Sequence, residues 1–130
     1  MSHKQILVIR KDLKTRRGKD CSQAAHSSLA AIFNTGSIKE IDGIKSLVIP
    51  LTEQVEPWIM GRFKKICVYV NSEEELLAIH NQAKELGLIT SLIQDAGLTE
   101  FGGVPTYTAV AVGPDEEAKI DEVTGLLPLL

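Results

Sequence analysis

Lys4-Gln5-Ile6-Leu7-Val8-Ile9-Arg10 carries four consecutive branched apolar residues between polar ends. A strand with one wet face alternates apolar and polar residues, so an unbroken apolar run predicts a strand buried on both faces. Such a strand needs covering layers above and below. The chain supplies them. From Lys19 onward Ala24, Ala25, Leu29, Ala31, Ile32 and Phe33 recur at helical spacings, and Gly36 marks a stop. Lys64–Val70 is rich in β-formers and predicts a second strand. It runs into Asn71-Ser72-Glu73-Glu74-Glu75, where Ser72 can cap and Glu75 stands three residues on, as in a capping box. Leu76, Leu77, Ile79, Ala83 and Leu86 form the apolar face of that helix, which Gly87 closes.

Further along, Ile89–Gln94 and Thr106–Val112 predict strands, and Gly113-Pro114 is placed at the start of a last short helix reaching about Val123. Lys11–Gly18 reads as a polar loop, and Leu51–Phe63 as a short helix with Pro57 either near its start or forcing a kink. Residues 37–50, broken by Gly43 and Pro50, take no definite assignment. The order β-α-α-β-α-β-β-α predicts an α/β fold, a mixed four-stranded sheet with helices on both faces. With no repeat, linker or low-complexity tract, residues 1–130 are expected to form one domain.

The chain has 130 residues, 44% apolar and 24% charged, close to globular averages, which excludes a disordered tail or a disulfide scaffold. A net charge of −3 conceals a segregation. The first 19 residues hold seven basic side chains against Asp12 alone, a net of +6, and the remainder carries −9. A basic segment on an acidic body favours an anionic partner docking at one place. The run Ile6–Ile9 is too short for a signal-peptide core, and no stretch is long enough to span a bilayer. Cys21 and Cys67 are 46 positions apart, match no zinc or redox spacing, and read as reduced, packed thiols. His3, His26 and His80 make no ligand cluster. The expectation is a cytoplasmic protein without membrane span, metal or cofactor.

In open α/β sheets ligands gather outside the carboxyl ends of strands, and three segments fall there. Arg16-Arg17-Gly18-Lys19 enters the first helix, where Gly18 permits close backbone approach and the helix N-terminus favours an anion; a solvated basic loop is the plainer reading. Asp95-Ala96-Gly97-Leu98-Thr99 sets a carboxylate and a hydroxyl across a glycine turn, although turn-forming hydrogen bonds explain the same residues. Thr106-Tyr107-Thr108 opens the last strand, with both threonines on one face. Gln23 and His26 share a face of the first helix. Trp58 reads as a core anchor rather than a base-stacking residue, and Glu73–Glu75 and Asp115–Glu117 as helix-start charges.

These segments together resemble the class II (archaeal and eukaryotic type) peptidyl-tRNA hydrolases. The likeness runs through Ile6–Lys14, Gly18-Lys19, Gln23-Ala24-Ala25-His26, Lys64-Lys65-Ile66 and Asn71–Leu76. It continues through Asp95-Ala96-Gly97-Leu98-Thr99-Glu100, similar to the family's Asp-Ala-Gly-x-Thr-Gln, then Val110–Pro114 and Ile120–Gly125. The resemblance implies hydrolysis of the ester joining a peptide to the 3′-terminal ribose of tRNA. It implies Lys19, Asp95, Thr99 and Thr108 at the active-site positions. Lys11, Lys14, Arg16, Arg17, Gly18, Gln23, His26 and Thr106 are the expected tRNA or substrate contacts, and a homodimer is suggested.

This chain departs from the family pattern at several points. Thr15-Arg16-Arg17-Gly18-Lys19 replaces Met-Gly-Lys-Gly-Lys, Leu98 stands where a basic or polar residue is common, and Pro128 replaces a lysine. One extra residue separates Thr99 from Thr108. Two other classes therefore stand beside the hydrolase: a catalytically weak relative binding RNA or a protein through the basic loop, and a small-molecule α/β module.

Overall fold

The computed structural model describes residues 2–97 and 101–130. The central strand is β1, His3–Arg10. It pairs in parallel with β4, Lys65–Val70, and antiparallel with β6, Thr106–Glu116, which in turn pairs antiparallel with β5, Thr90–Asp95. The order β4-β1-β6-β5 is the expected mixed four-stranded sheet. Pro128–Leu130 lies along the outer edge of β4, where Tyr69 N–H donates to the Pro128 carbonyl and Leu130 N–H to that of Cys67.

The opening run does what its pattern requires. Ile6 and Val8 join Val68, Val70, Val110 and Val112 under α3, Glu73–Glu85, and α4, Glu117–Thr124. Leu7 and Ile9 point the other way, joining Ala109 and Ala111 under α1, Arg17–Phe33. Each fully buried branched side chain contributes about 1.5–3 kcal/mol, so this strand anchors both layers at once.

The α1 face is built from small and polar groups. Gln23, Ala24, Ser27, Ser28, Ala31 and Ile32 are buried, while Leu29 is 54% and Phe33 46% exposed. Alanines on the sheet and small residues on the helix allow close approach, and hydrogen bonds fill the contact. Buried Gln5 accepts from Ser28 Oγ and donates to the Ser28 and Gly113 carbonyls, and Ser91 Oγ donates to the Ser27 carbonyl. Only part of the apolar periodicity read for this helix therefore faces the core.

Other boundaries shift for identifiable reasons. A 3₁₀ turn at Lys11–Leu13 interrupts the expected loop, and α1 begins at Arg17, putting Gly18 and Lys19 inside its first turn. Residues 37–50 contain a hairpin, β2 (Ser37–Ile41) and β3 (Ile44–Val48), turning at Asp42-Gly43 with φ of 52° and 78°. The helix expected over 51–63 is the single turn α2, Glu56–Ile59, with Pro57 in its first positions. Trp58 is buried as expected, its Nε1 donating to the Lys64 carbonyl at 2.7 Å.

Gly113-Pro114 does not start the last helix. The register of β6 against β1 slips there by one residue and the strand continues to Glu116. Gly113 has φ of +98°, and a Cβ on it would lie 2.7 Å from the Lys4 carbonyl oxygen, so this slip requires glycine. The cap of α3 forms as expected: Ser72 Oγ accepts from Glu75 N–H at 3.1 Å. The Glu75 carboxylate reaches back to Asn71 N–H at 2.9 Å, one residue before the cap.

Candidate active site

Strands β1, β4 and β5 run in one direction and β6 in the other. The basic segment after β1, the end of β5 and the start of β6 therefore meet at one edge of the sheet. The N-terminus of α1, the positive end of its dipole, arrives at the same edge.

Asp95 is the last residue of β5 and the hub of the site. Its Oδ2 accepts from Gly97 N–H at 2.8 Å, closing a tight turn. Gly97 has φ of +81°, and a Cβ there would collide with the Val104 backbone, so the turn admits only glycine. Asp95 Oδ1 accepts from Lys19 Nζ at 2.9 Å and from Gln23 Nε2 at 3.3 Å. The turn-forming hydrogen bond read for Asp95 is present on Oδ2, and Oδ1 is left to meet Lys19 and Gln23.

Lys19 and Gln23 are four residues apart on α1 and so project from one face toward the strand end. Behind them Gln23 Oε1 accepts from Thr108 Oγ1 at 2.5 Å, extending the chain of contacts into the buried sheet. Thr108 reaches that position through a bulge. Ile93 pairs with Ala109 and Gln94 with Tyr107, leaving Thr108 as the extra residue. The bulge turns Thr108 and Ala109 toward α1, while Tyr107 packs on the opposite layer.

The Lys19 and Asp95 side chains are 14% and 16% exposed, shielded yet within reach of solvent. The Lys19 hydrogen bond, then that of Gly97 N–H, holds the Asp95 carboxyl below the usual carboxylate range; partial burial works against them and loses. The carboxylate therefore keeps its charge at neutral pH, with Lys19 Nζ held 2.9 Å from it. Near a carbonyl, the ammonium can stabilise a developing oxyanion and the carboxylate can orient a water.

The remaining expected residues divide. Thr106 pairs with Asp95 across the strands, but its Oγ1 donates to the Val104 carbonyl at 2.8 Å. Lys11, Lys14, Arg16, Arg17 and Gly18 are exposed along the approach, with Lys11 Nζ 4.3 Å from the Tyr69 ring centroid. Two other basic residues of the segment serve the fold: Lys4 pairs with Asp121 at 2.6 Å, and Arg10 clamps Asp12 and donates to the Tyr107 carbonyl. His26 is exposed two turns along α1 from Lys19. Thr99 lies outside the described residues. Phe101, which the sequence reading passed over, has its ring centroid 5.8 Å from Lys19 Nζ. No periodicity marks a loop residue, so only the fold brings it to the site.

A cavity of about 460 Å³ does not coincide with this cluster; it lies on the flank of α1 that faces β4, between Cys21 and Cys67. Both thiols are free, and Cys21 is exposed rather than packed because it sits on this outer flank. Among the described residues no group of three or more His, Cys, Asp or Glu side chains stands together as a metal site. No helix among them is long and apolar enough to cross a membrane.

Residues 3–130 match the family described as peptidyl-tRNA hydrolase PTH2. A Methanopyrus kandleri protein named peptidyl-tRNA hydrolase is 41% identical over 128 residues, covering 98% of both chains. Proteins of the same name from Methanothermobacter thermautotrophicus and Nanoarchaeum equitans are 37% identical over 127 residues and 40% over 126, again covering at least 97% of each chain. The likeness spans the basic segment, the Lys19–Asp95 edge and both layers of the sheet, and the chain belongs to the peptidyl-tRNA hydrolase PTH2 family.

Proposed function

We propose that this chain hydrolyses the ester between a peptide and the 3′-terminal ribose of tRNA, in the cytoplasm, with water as nucleophile and its own side chains as the catalytic groups. The observation that carries the reading is the Lys19–Asp95 pair, 2.9 Å apart at the carboxyl edge of the sheet, beside the exposed basic segment. Water adds to the ester carbonyl, the tetrahedral oxyanion collapses, the ribose 3′-oxygen leaves with a proton, and the peptide departs as a carboxylate.

Lys19 stabilises the oxyanion. Asp95 keeps Lys19 aimed and orients the water; its lowered proton affinity makes it a weak base and favours orientation over outright deprotonation. Gln23 holds Asp95 and is itself held by Thr108. Thr99 contributes a hydroxyl toward the water or the ester, Thr106 contacts substrate at the strand end, and His26 does so further along α1. Lys11, Lys14, Arg16 and Arg17 grip phosphates, with Gly18 leaving room for the acceptor end.

The protein acts as a homodimer in this reading, with exposed Leu51, Met60 and Phe63 around α2, or Leu126 and Leu129 in the tail, as the apolar surface. Light scattering at micromolar concentration tests the dimer. The function is tested by incubating purified protein with peptidyl-tRNA and following release of free tRNA. Release supports the hydrolase. Salt-dependent binding without release replaces it with the binding relative, and neither activity leaves the small-molecule module.

A further inference from the structure

Phe101 stands beside the proposed oxyanion position, and among the described residues neither a ring–ring pair nor a core cluster accounts for it. A lysine 5.8 Å from a ring centroid is at the outer limit of a cation–π contact, so Lys19 alone does not explain the placement. The ring is only half-buried, so it is not a core side chain. Its backbone is nevertheless fixed. Val104 N–H donates to the Phe101 carbonyl at 3.0 Å, and Gly103 N–H to that of Gly97 at 2.7 Å, closing the neck of the loop against the turn that Asp95 holds.

The substrate's covalent structure sets what must lie there. The scissile ester is on the same ribose that carries the terminal base, so a carbonyl at Lys19 brings that base within a few bonds of the site. Bases of single-stranded ends are held chiefly by stacking on aromatic side chains. The other aromatic residues are committed elsewhere. Tyr107 packs in the layer under α3, and Tyr69 lies against Lys11. Trp58 and Phe63 pack on each other with centroids 4.5 Å apart, and Phe33 ends α1 far from its N-terminus.

Resting on the hydrolase reading, we propose that Phe101 is the stacking platform for the 3′-terminal adenine of the tRNA, and thereby a specificity-determining residue. It holds the terminal nucleoside so that the ester carbonyl meets Lys19, and it discriminates an ordered base from a missing one.

The test compares wild type, Phe101→Leu and Phe101→Trp in two measurements. One is kcat and KM on N-acetylaminoacyl-tRNA. The other is binding of the trinucleotide CCA and the dinucleotide CC by NMR titration. Phe101→Leu keeps an apolar cover on Lys19 but removes the π-face. It is expected to raise KM and to weaken CCA binding by roughly tenfold or more, with CC binding unchanged, and Phe101→Trp is expected to restore both. Unchanged KM and CCA binding would overturn the proposal, as would equal weakening of CCA and CC. A fall in kcat at constant KM would overturn it too, assigning Phe101 to Lys19 instead. If wild type releases no tRNA the hydrolase reading fails, while the CCA and CC titrations still decide the role of Phe101.

Discussion

At Asp95 the two carboxylate oxygens have separate duties, Oδ2 closing the turn to Gly97 and Oδ1 receiving Lys19 and Gln23. Asp95→Asn keeps the shape but loses the charge that holds Lys19, and turnover should fall at least about 10²-fold with tRNA affinity nearly unchanged. Equal loss in both would contradict the division of labour. Because the folded carboxyl titrates below its unfolded value of about 4, its contribution to stability is full above that pH. It is lost as pH falls through the lower folded value. Thermal melts should therefore show wild type above Asp95→Asn at neutral pH and the gap closing in that acid window. Gly18 makes a different prediction. A Cβ there meets nothing within 4 Å, so Gly18→Ala should hold or raise stability, by up to about 1 kcal/mol in a helix. If the acceptor end approaches this backbone, turnover on peptidyl-tRNA should nonetheless drop by about tenfold or more. A stable variant with full turnover would remove Gly18 from the site.

Among the elements, α3 was the most legible, since Ser72 and Glu75 act locally and need no tertiary partner to be recognised. Ser72→Ala should cost about 1 kcal/mol, seen as a fall of a few degrees in Tm, without changing turnover. A shift in turnover would mean that this helix start reaches the site. Helix α1 was legible as a helix but not in its facing. Leu29 and Phe33 carried the strongest apolar signal yet point outward, because contact with Ala109 and Ala111 rewards small residues and hydrogen bonds over bulk. The hairpin β2–β3 left no signal because its strands are almost wholly exposed and bury no alternating face. Alternation separated Thr108 from Tyr107, but the contact of Thr108 with Gln23 depends on a bulge that only pairing with β5 reveals. Candidate site residues were readable where they stand at strand ends or helix starts, as Lys19 and Asp95 do. Phe101 was not, since a loop side chain is placed by the closure of the loop's neck.

At the scale of the molecule, the segregation of charge has a structural division within it. Lys4 and Arg10 are spent on ion pairs within the fold, and Lys19 faces Asp95. The four other basic residues of the first segment, Lys11, Lys14, Arg16 and Arg17, stay exposed at the edge where β1, β4 and β5 end. In the proposed function, the acidic body would confine an RNA to that edge. Arg17→Ala should raise KM and reduce the slope of log affinity against log salt by about 0.7–0.9, one phosphate's worth; an unchanged slope would place Arg17 off the RNA path. The catalytic expectations depend on Lys19 as the group that meets the oxyanion. The direct measurement is the single-turnover rate of peptidyl-tRNA hydrolysis by Lys19→Ala at saturating enzyme. The rate should fall by about 10²–10³ with peptidyl-tRNA still bound, whereas a rate within a few-fold of wild type would contradict the account.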